Sequence, residues 1–158
     1  MTENRRTLSR LAAVQALYQM EQTQTGVDTT ILEFKTHRLG GDIDGVALKD
    51  ADDTFFEDIV RGVVDRQSTL DSVIETHLAS GWRIGRIDAT ARAILRSGIF
   101  ELSSRPDVPP AAVVDEYVGI ANSFFDKKEA AFINGVLDAV KASSHGDESP
   151  RATPSCSV

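Results

Sequence analysis

Between residues 8 and 20 the apolar positions Leu8, Leu11, Val14, Leu17 and Tyr18 recur three or four apart, the spacing of a helix with one buried stripe. Thr30 and Glu33 have capping-box spacing ahead of Phe34, and Gly40-Gly41 ends this short second helix before an irregular Asp42-Ile43-Asp44-Gly45 loop. Thr54 and Glu57 repeat the capping box at the head of Phe56, Ile59, Val60, Val63 and Val64, the clearest helical stripe in the chain. Ser68 and Asp71 then precede Leu70, Val73, Ile74 and Leu78, a pattern that fits one helix continuing to residue 79 as well as a helix broken once.

Gly81 and Gly85 flank Trp82 and mark a turn, after which Asp88 caps a helix with Ala91, Ile94, Leu95, Gly98 and Leu102 on one side. Gly98 on that side predicts a close helix crossing. Arg105-Pro106-Asp107-Val108-Pro109-Pro110 breaks the pattern, and Pro110 suits the first helical position because it has no N–H to lose there. Val113, Val114, Tyr117, Val118, Ala121 and Phe124 form the buried face of that helix. Asp126 with Glu129 caps the last one, in which Phe132, Ile133, Val136, Leu137 and Val140 face inward. No segment alternates with a period of two, so the predicted fold is all-α, with six or seven helices. The expected organisation is one domain over residues 1–141, with helical subdomains of about 1–80 and 81–141, and a disordered tail at 142–158 whose polar composition cannot offset its ordering entropy.

At 158 residues with 41% apolar content, such a domain can bury a core without disulfides or metal. The only cysteine, Cys156, lies in the tail, which rules out an intrachain disulfide and fits a reducing cytoplasm. The polar, basic start is not a signal peptide, and no apolar run is long enough to span a membrane. Charge changes the picture more. The net charge is −7, yet residues 28–75 carry twelve acids against five bases, whereas residues 83–105 carry five arginines against Asp88 and Glu101. Arg5, Arg6 and Arg10 open the chain. Arg6 and Arg10, four apart, share a face off the Leu8–Leu11 stripe and are expected to be free for something outside the fold.

Catalytic chemistry finds little to work with. His37, His77 and His145 have no partner at metal-ligand spacing, and the glycine pairs lack the Lys-Ser/Thr of a phosphate loop. Glu57-Asp58 and Asp115-Glu116 are adjacent carboxylates, which diverge by about 100° on a helix and cannot converge on one substrate. Neither an enzyme nor a cofactor is expected.

Three ordered strings carry a resemblance: Arg10-Leu11-Ala12-Ala13-Val14-Gln15-Ala16-Leu17-Tyr18, Ala93-Ile94-Leu95-Arg96-Ser97-Gly98-Ile99-Phe100-Glu101-Leu102 and Phe132-Ile133-Asn134-Gly135-Val136-Leu137-Asp138. With Asp107-Val108-Pro109 and Val114-Asp115-Glu116 between them, the chain resembles the NusB family of bacterial transcription antitermination factors from about residue 5 to residue 140. The resemblance implies two packed helical bundles, pairing with the ribosomal protein NusE, and binding of boxA-type single-stranded RNA within a transcribing RNA polymerase complex. It places RNA contacts at Arg5, Arg6, Arg10, Lys127, Lys128 and Phe132, and partner contacts at Tyr18 and Glu101. Phe132 also lies on an apolar stripe, so core packing competes with base stacking there. Cations from the two ends of the chain are expected to converge on one exposed patch. Thr7, Leu8 and Asn122 replace basic positions common in the family, so RNA binding by the chain alone is expected to be weak. Two rivals stand beside this reading. One is the NusB-like domain of ribosomal RNA cytosine methyltransferases, for which a catalytic domain after residue 140 is lacking. The other is a dimerising helical module whose arginines meet the acidic 28–75 region of a second copy.

Overall fold

The computed structural model describes residues 2–38, 42–43, 46–47, 52–78 and 83–145. Seven α-helices are found among them: α1 (Thr2–Thr23), α2 (Val27–Glu33), α3 (Asp53–Asp65), α4 (Gln67–Thr76), α5 (Ala89–Ser104), α6 (Pro110–Phe124) and α7 (Lys127–His145). The loop expected between α2 and α3 contains one small addition, a two-residue antiparallel pairing of β1 (Asp42–Ile43) with β2 (Val46–Ala47). Gly40-Gly41, the Gly81-Trp82 turn, the division near residue 80 and Cys156 lie outside the described residues.

α5 is the axis of the molecule. Ala91, Ala93, Ile94, Leu95, Ser97, Gly98, Ile99, Phe100, Glu101 and Leu102 are all buried, so this helix keeps only a narrow solvent edge at Arg92, Arg96 and Ser103 and is otherwise covered by α1, α3, α4, α6 and α7. Asp88 caps it as expected, its carboxylate accepting from the amides of Thr90 at 2.9 Å and Ala91 at 3.3 Å. The predicted crossing at Gly98 is present: a Cβ there would come within 2.9 Å of Leu137 Cδ2 on α7. One continuous core spans all seven helices.

α1 runs antiparallel to α5, with Arg10 meeting Glu101 near one end and Glu21 meeting Arg92 near the other. Its tightest packing does not follow the leucines. Ser9, Ala12, Ala13, Val14 and Ala16 are buried, while Leu8, Leu11 and Leu17 are only partly covered and Tyr18 is 40% exposed. Small side chains let the α1 backbone approach its neighbours closely, which rotates the buried arc away from the large residues.

Two helix starts differ from the sequence expectation. α2 begins at Val27 after Gly26, and Thr30 sits buried inside it, its hydroxyl donating to the Gly26 carbonyl at 3.0 Å. A π-turn, Phe34–Arg38, follows and stacks Phe34 on Phe56 with ring centroids 5.6 Å apart. α3 is capped by Asp52 rather than Thr54: its carboxylate accepts from the Phe55 amide at 3.1 Å, while the Ser9 hydroxyl bonds both the Asp52 amide and its carbonyl. The chain breaks between α3 and α4 at Arg66 (φ −113°, ψ 17°), which resolves the one-or-two-helix alternative as two. α6 opens on Pro110 and α7 follows Asp126, whose carboxylate accepts from the Glu129 amide at 3.0 Å. α7 continues to His145, past residue 142 where the apolar pattern stops.

Candidate nucleic-acid interface

Arg10 is not on a free face. It is 3% exposed, and its Nε and Nη2 donate to the two carboxylate oxygens of Glu101 at 2.8 and 3.0 Å in a two-bond fork. Glu101 is fully buried and also accepts from the Tyr117 hydroxyl at 2.5 Å, while Glu116 lies 3.4 Å from Arg10 Nη1. Burial by itself would lower the Arg10 pKa, but the hydrogen bond and charge of Glu101 outweigh it and raise it. Burial, reinforced by the Glu101 charge, pushes the Tyr117 phenol well above its ordinary value, which keeps it a neutral donor. Arg10, Glu101 and Tyr117 thus tie α1, α5 and α6 together from inside. Neither Arg10 as an RNA contact nor Glu101 as a partner contact fits that position in the folded chain. The spacing carried part of the signal, since Arg10 stands three and four residues before the buried Ala13 and Val14, but it does not by itself separate Arg10 from Arg6, which stands likewise before Ser9 and Arg10.

Arg5 is exposed at the head of α1, and Arg6 reaches the surface beside it. The Arg6 guanidinium stands 4.5 Å from the Phe55 ring centroid and 3.6 Å from Asp107. Arg105 joins them, 4.9 Å from the same ring centroid. Arg105 belonged to the arginine-rich segment but carried no spacing signal linking it to residue 6, because that contact is a product of the tertiary fold.

Lys127 and Lys128 are exposed at the head of α7. Phe132, one turn on, is 36% exposed although Ile133, Val136, Leu137 and Val140 on the same helix are buried. With Leu78, Arg86, Ile87, Asp88, Lys128 and Glu129, it lines an open hollow of about 580 Å³. Tyr18 is half-exposed beside Phe124, and the two frame a smaller depression with Val14, Gln15 and Thr90. Phe124 was expected in the core; Ile120 takes the inward position on α6 instead.

The two cationic groups do not merge. Arg6 and Asp107 sit just past the C-terminal end of α5, whereas Lys128 shares its hollow with Asp88 at the N-terminal end. A 16-residue helix is roughly 24 Å long, so the single convergent patch is replaced by two groups separated by about that length of axis. Three of the five arginines at 83–105 are bound by acids of the same chain: Arg92 by Glu21, Arg96 by Asp71 at 2.7 Å and Arg105 by Asp58 at 2.9 Å. Those pairings use internally the charges that the dimerising-module reading assigned to a second copy.

No helix among the described residues is long and apolar enough to cross a membrane. The model of the NusB family matches residues 7–142. A transcription antitermination protein NusB from Caulobacter vibrioides is 57% identical over 135 residues, covering 85% of this chain and 91% of that one. Among solved structures, the solution structure of NusB from Aquifex aeolicus matches with a TM-score of 0.69 and 27% identity, covering 95% of each chain. A crystal structure of the antitermination factors NusB and NusE in complex with dsRNA shares the fold, with a TM-score of 0.74 at 24% identity, over 89% of this chain and 98% of that one. Helix order, the capped α5 axis and a family match across almost every described helix agree: this chain belongs to the NusB family.

Proposed function

We infer that this chain is a transcription antitermination factor that works by holding RNA and a protein partner in a transcribing RNA polymerase complex, with no catalytic step of its own. The RNA is of the single-stranded boxA type, the partner is NusE, and the setting is the cytoplasm during ribosomal RNA synthesis. Family membership supports the antitermination role. One observation carries the site assignment: Phe132 stays at the surface although Ile133, Val136, Leu137 and Val140 of the same helix are buried, and it lines one hollow with Lys128 and Arg86 as well as Asp88 and Glu129. An aromatic face flanked by cations suits an unpaired base with its phosphates. Arg5 and Arg6 form the second contact, and an RNA strand touching both groups runs the length of α5. Tyr18 and Phe124 offer NusE an aromatic pair with apolar body and polar rim.

The test is an anisotropy titration of a labelled boxA oligoribonucleotide with the full chain, with and without NusE, at two salt concentrations. Arg5→Gln/Arg6→Gln should weaken binding about tenfold, or roughly 1.4 kcal/mol. Each cation lost from a single-strand contact should also reduce the log–log salt slope by about 0.7. Unchanged affinity and slope in the double variant would remove α1 from the interface.

A further inference from the structure

Where α1 begins, three guanidinium groups gather on one aromatic ring. Arg6, Arg10 and Arg105 stand 4.5, 4.9 and 4.9 Å from the Phe55 centroid. Arg10 is committed to Glu101. Arg6 and Arg105 reach the surface, with 29% and 22% of their side chains exposed, and the same oxygen of Asp107 serves both, 3.6 Å from Arg6 Nη1 and 3.0 Å from Arg105 Nη2. Asp58 takes the other arm of Arg105 at 2.9 Å. The Nε groups of both arginines are buried and donate to nothing among the described residues. Two guanidinium groups therefore converge on one carboxylate oxygen, each through a single Nη group, while their Nε groups face inward.

Asp107 is the replaceable member of this cluster. Its side chain is 51% exposed, and its backbone sits in a turn closed by the Val108 amide on the Arg105 carbonyl at 3.1 Å, with Val108 buried beneath. The side chain can rotate outward without moving the turn. The hydrogen bond from Arg105, with the charge of Arg6 adding to it, holds its carboxyl below the ordinary carboxylate value, so it competes as an anion at neutral pH. Exposed ion pairs of this kind are weak enough to exchange. A phosphodiester brings two non-bridging oxygens on one tetrahedral centre, which gives the Nη group of each arginine now shared on Asp107 an oxygen of its own.

We propose that Arg6 and Arg105, braced on Phe55, form a binding site for one RNA phosphodiester, and that Asp107 occupies this site until RNA displaces it. The proposal rests on the reading of the α1 head as an RNA contact. It adds Arg105 to that contact and makes Asp107 a built-in competitor that sets its strength.

The experiment uses the same boxA oligoribonucleotide titration with the full chain and NusE. Asp107→Asn and Asp107→Ser keep a turn-forming side chain and remove the competing charge; each should tighten RNA binding at least threefold. Asp65→Asn is the control for a general loss of negative charge. Asp65 is exposed ten residues beyond Phe55 on α3, roughly 15 Å along the helix, and its replacement should leave affinity within twofold. Arg105→Gln should weaken binding, and adding Asp107→Asn to it should no longer give the full gain. Equal or weaker binding by both Asp107 variants overturns the proposal, as does an equal gain from Asp65→Asn. If Arg5→Gln/Arg6→Gln also leaves binding unchanged, the RNA reading of α1 fails as well; if that variant weakens binding while the Asp107 variants gain nothing, displacement alone fails.

Discussion

Glu101→Ala should lower stability by about 3–5 kcal/mol, because it strands the Arg10 charge in a site with almost no access to water. In the native chain the Arg10 fork is held at 2.8 and 3.0 Å and the Tyr117 hydroxyl donates to the same carboxylate at 2.5 Å, so one substitution leaves two buried donors without their acceptor. Glu116 lies 3.4 Å from Arg10 and is itself part-exposed, which softens the loss without cancelling it. Chemical denaturation followed by circular dichroism measures the change. Replacing all three partners, Arg10→Met and Glu101→Leu with Tyr117→Phe, should recover most of the stability, because the cost belongs to the stranded charge and the unpaired hydroxyl and not to a missing attraction. A Glu101→Ala protein as stable as the parent would mean that Arg10 finds water or another acceptor and that the network is not a buried keystone.

Gly62→Ala should destabilise by about 1–3 kcal/mol although alanine is ordinarily the better helix former by about 1 kcal/mol. A Cβ at Gly62 would stand 2.2 Å from Cε1 and 2.3 Å from Cζ of Phe100, a contact that requires the ring or the helix to move. Phe100 is 4% exposed, with the Arg66 guanidinium over it at 5.9 Å and bonded to Ser104, so the ring can shift only by turning toward the hollow it lines with Arg66 and Ser104 and breaking that cover. Pairing Gly62→Ala with Phe100→Leu should be less costly than the sum of the two single losses. A stabilised Gly62→Ala variant would show that α3 and α5 do not meet as closely as described.

These two sites show what the sequence could and could not reveal. The helices were legible because burial imposes a period on the chain: the capped start of α5, the proline at the head of α6 and the Gly98 crossing each follow from local rules that the tertiary structure had no reason to override. The α2 and α3 starts were misplaced because Thr30 and Thr54 satisfy the capping-box pattern, yet Gly26 and Asp52 hold the positions where the backbone enters each helix. The contact between Gly62 and Phe100 left no trace, since Gly62, unlike Gly98, lies off the apolar stripe of its helix.

The site was harder still. Arg6 and Arg10 carry the same side chain four residues apart, and only the alanine-lined packing of α1 decides that one reaches the surface and the other is consumed inside. Charge counts placed basic residues in two stretches of sequence, but they could not say that Arg96 and Arg105 would be held by Asp71 and Asp58. Nor could they show that the two remaining groups would be parted by the length of α5. Phe132 was the ambiguous case, on an apolar stripe and beside cations, and the fold leaves it at the surface.

In the proposed mode of binding, RNA touches the molecule at two separated places, the α1 head with its Arg105 turn and the α7 head with Phe132. Photo-crosslinking of a boxA oligoribonucleotide to the chain with NusE, read by peptide mass spectrometry, tests that most directly. Adducts should map to the α1 head or the Arg105–Asp107 turn and, separately, to residues 127–132. Adducts confined to the acidic surface of α2, α3 and α4 would contradict it.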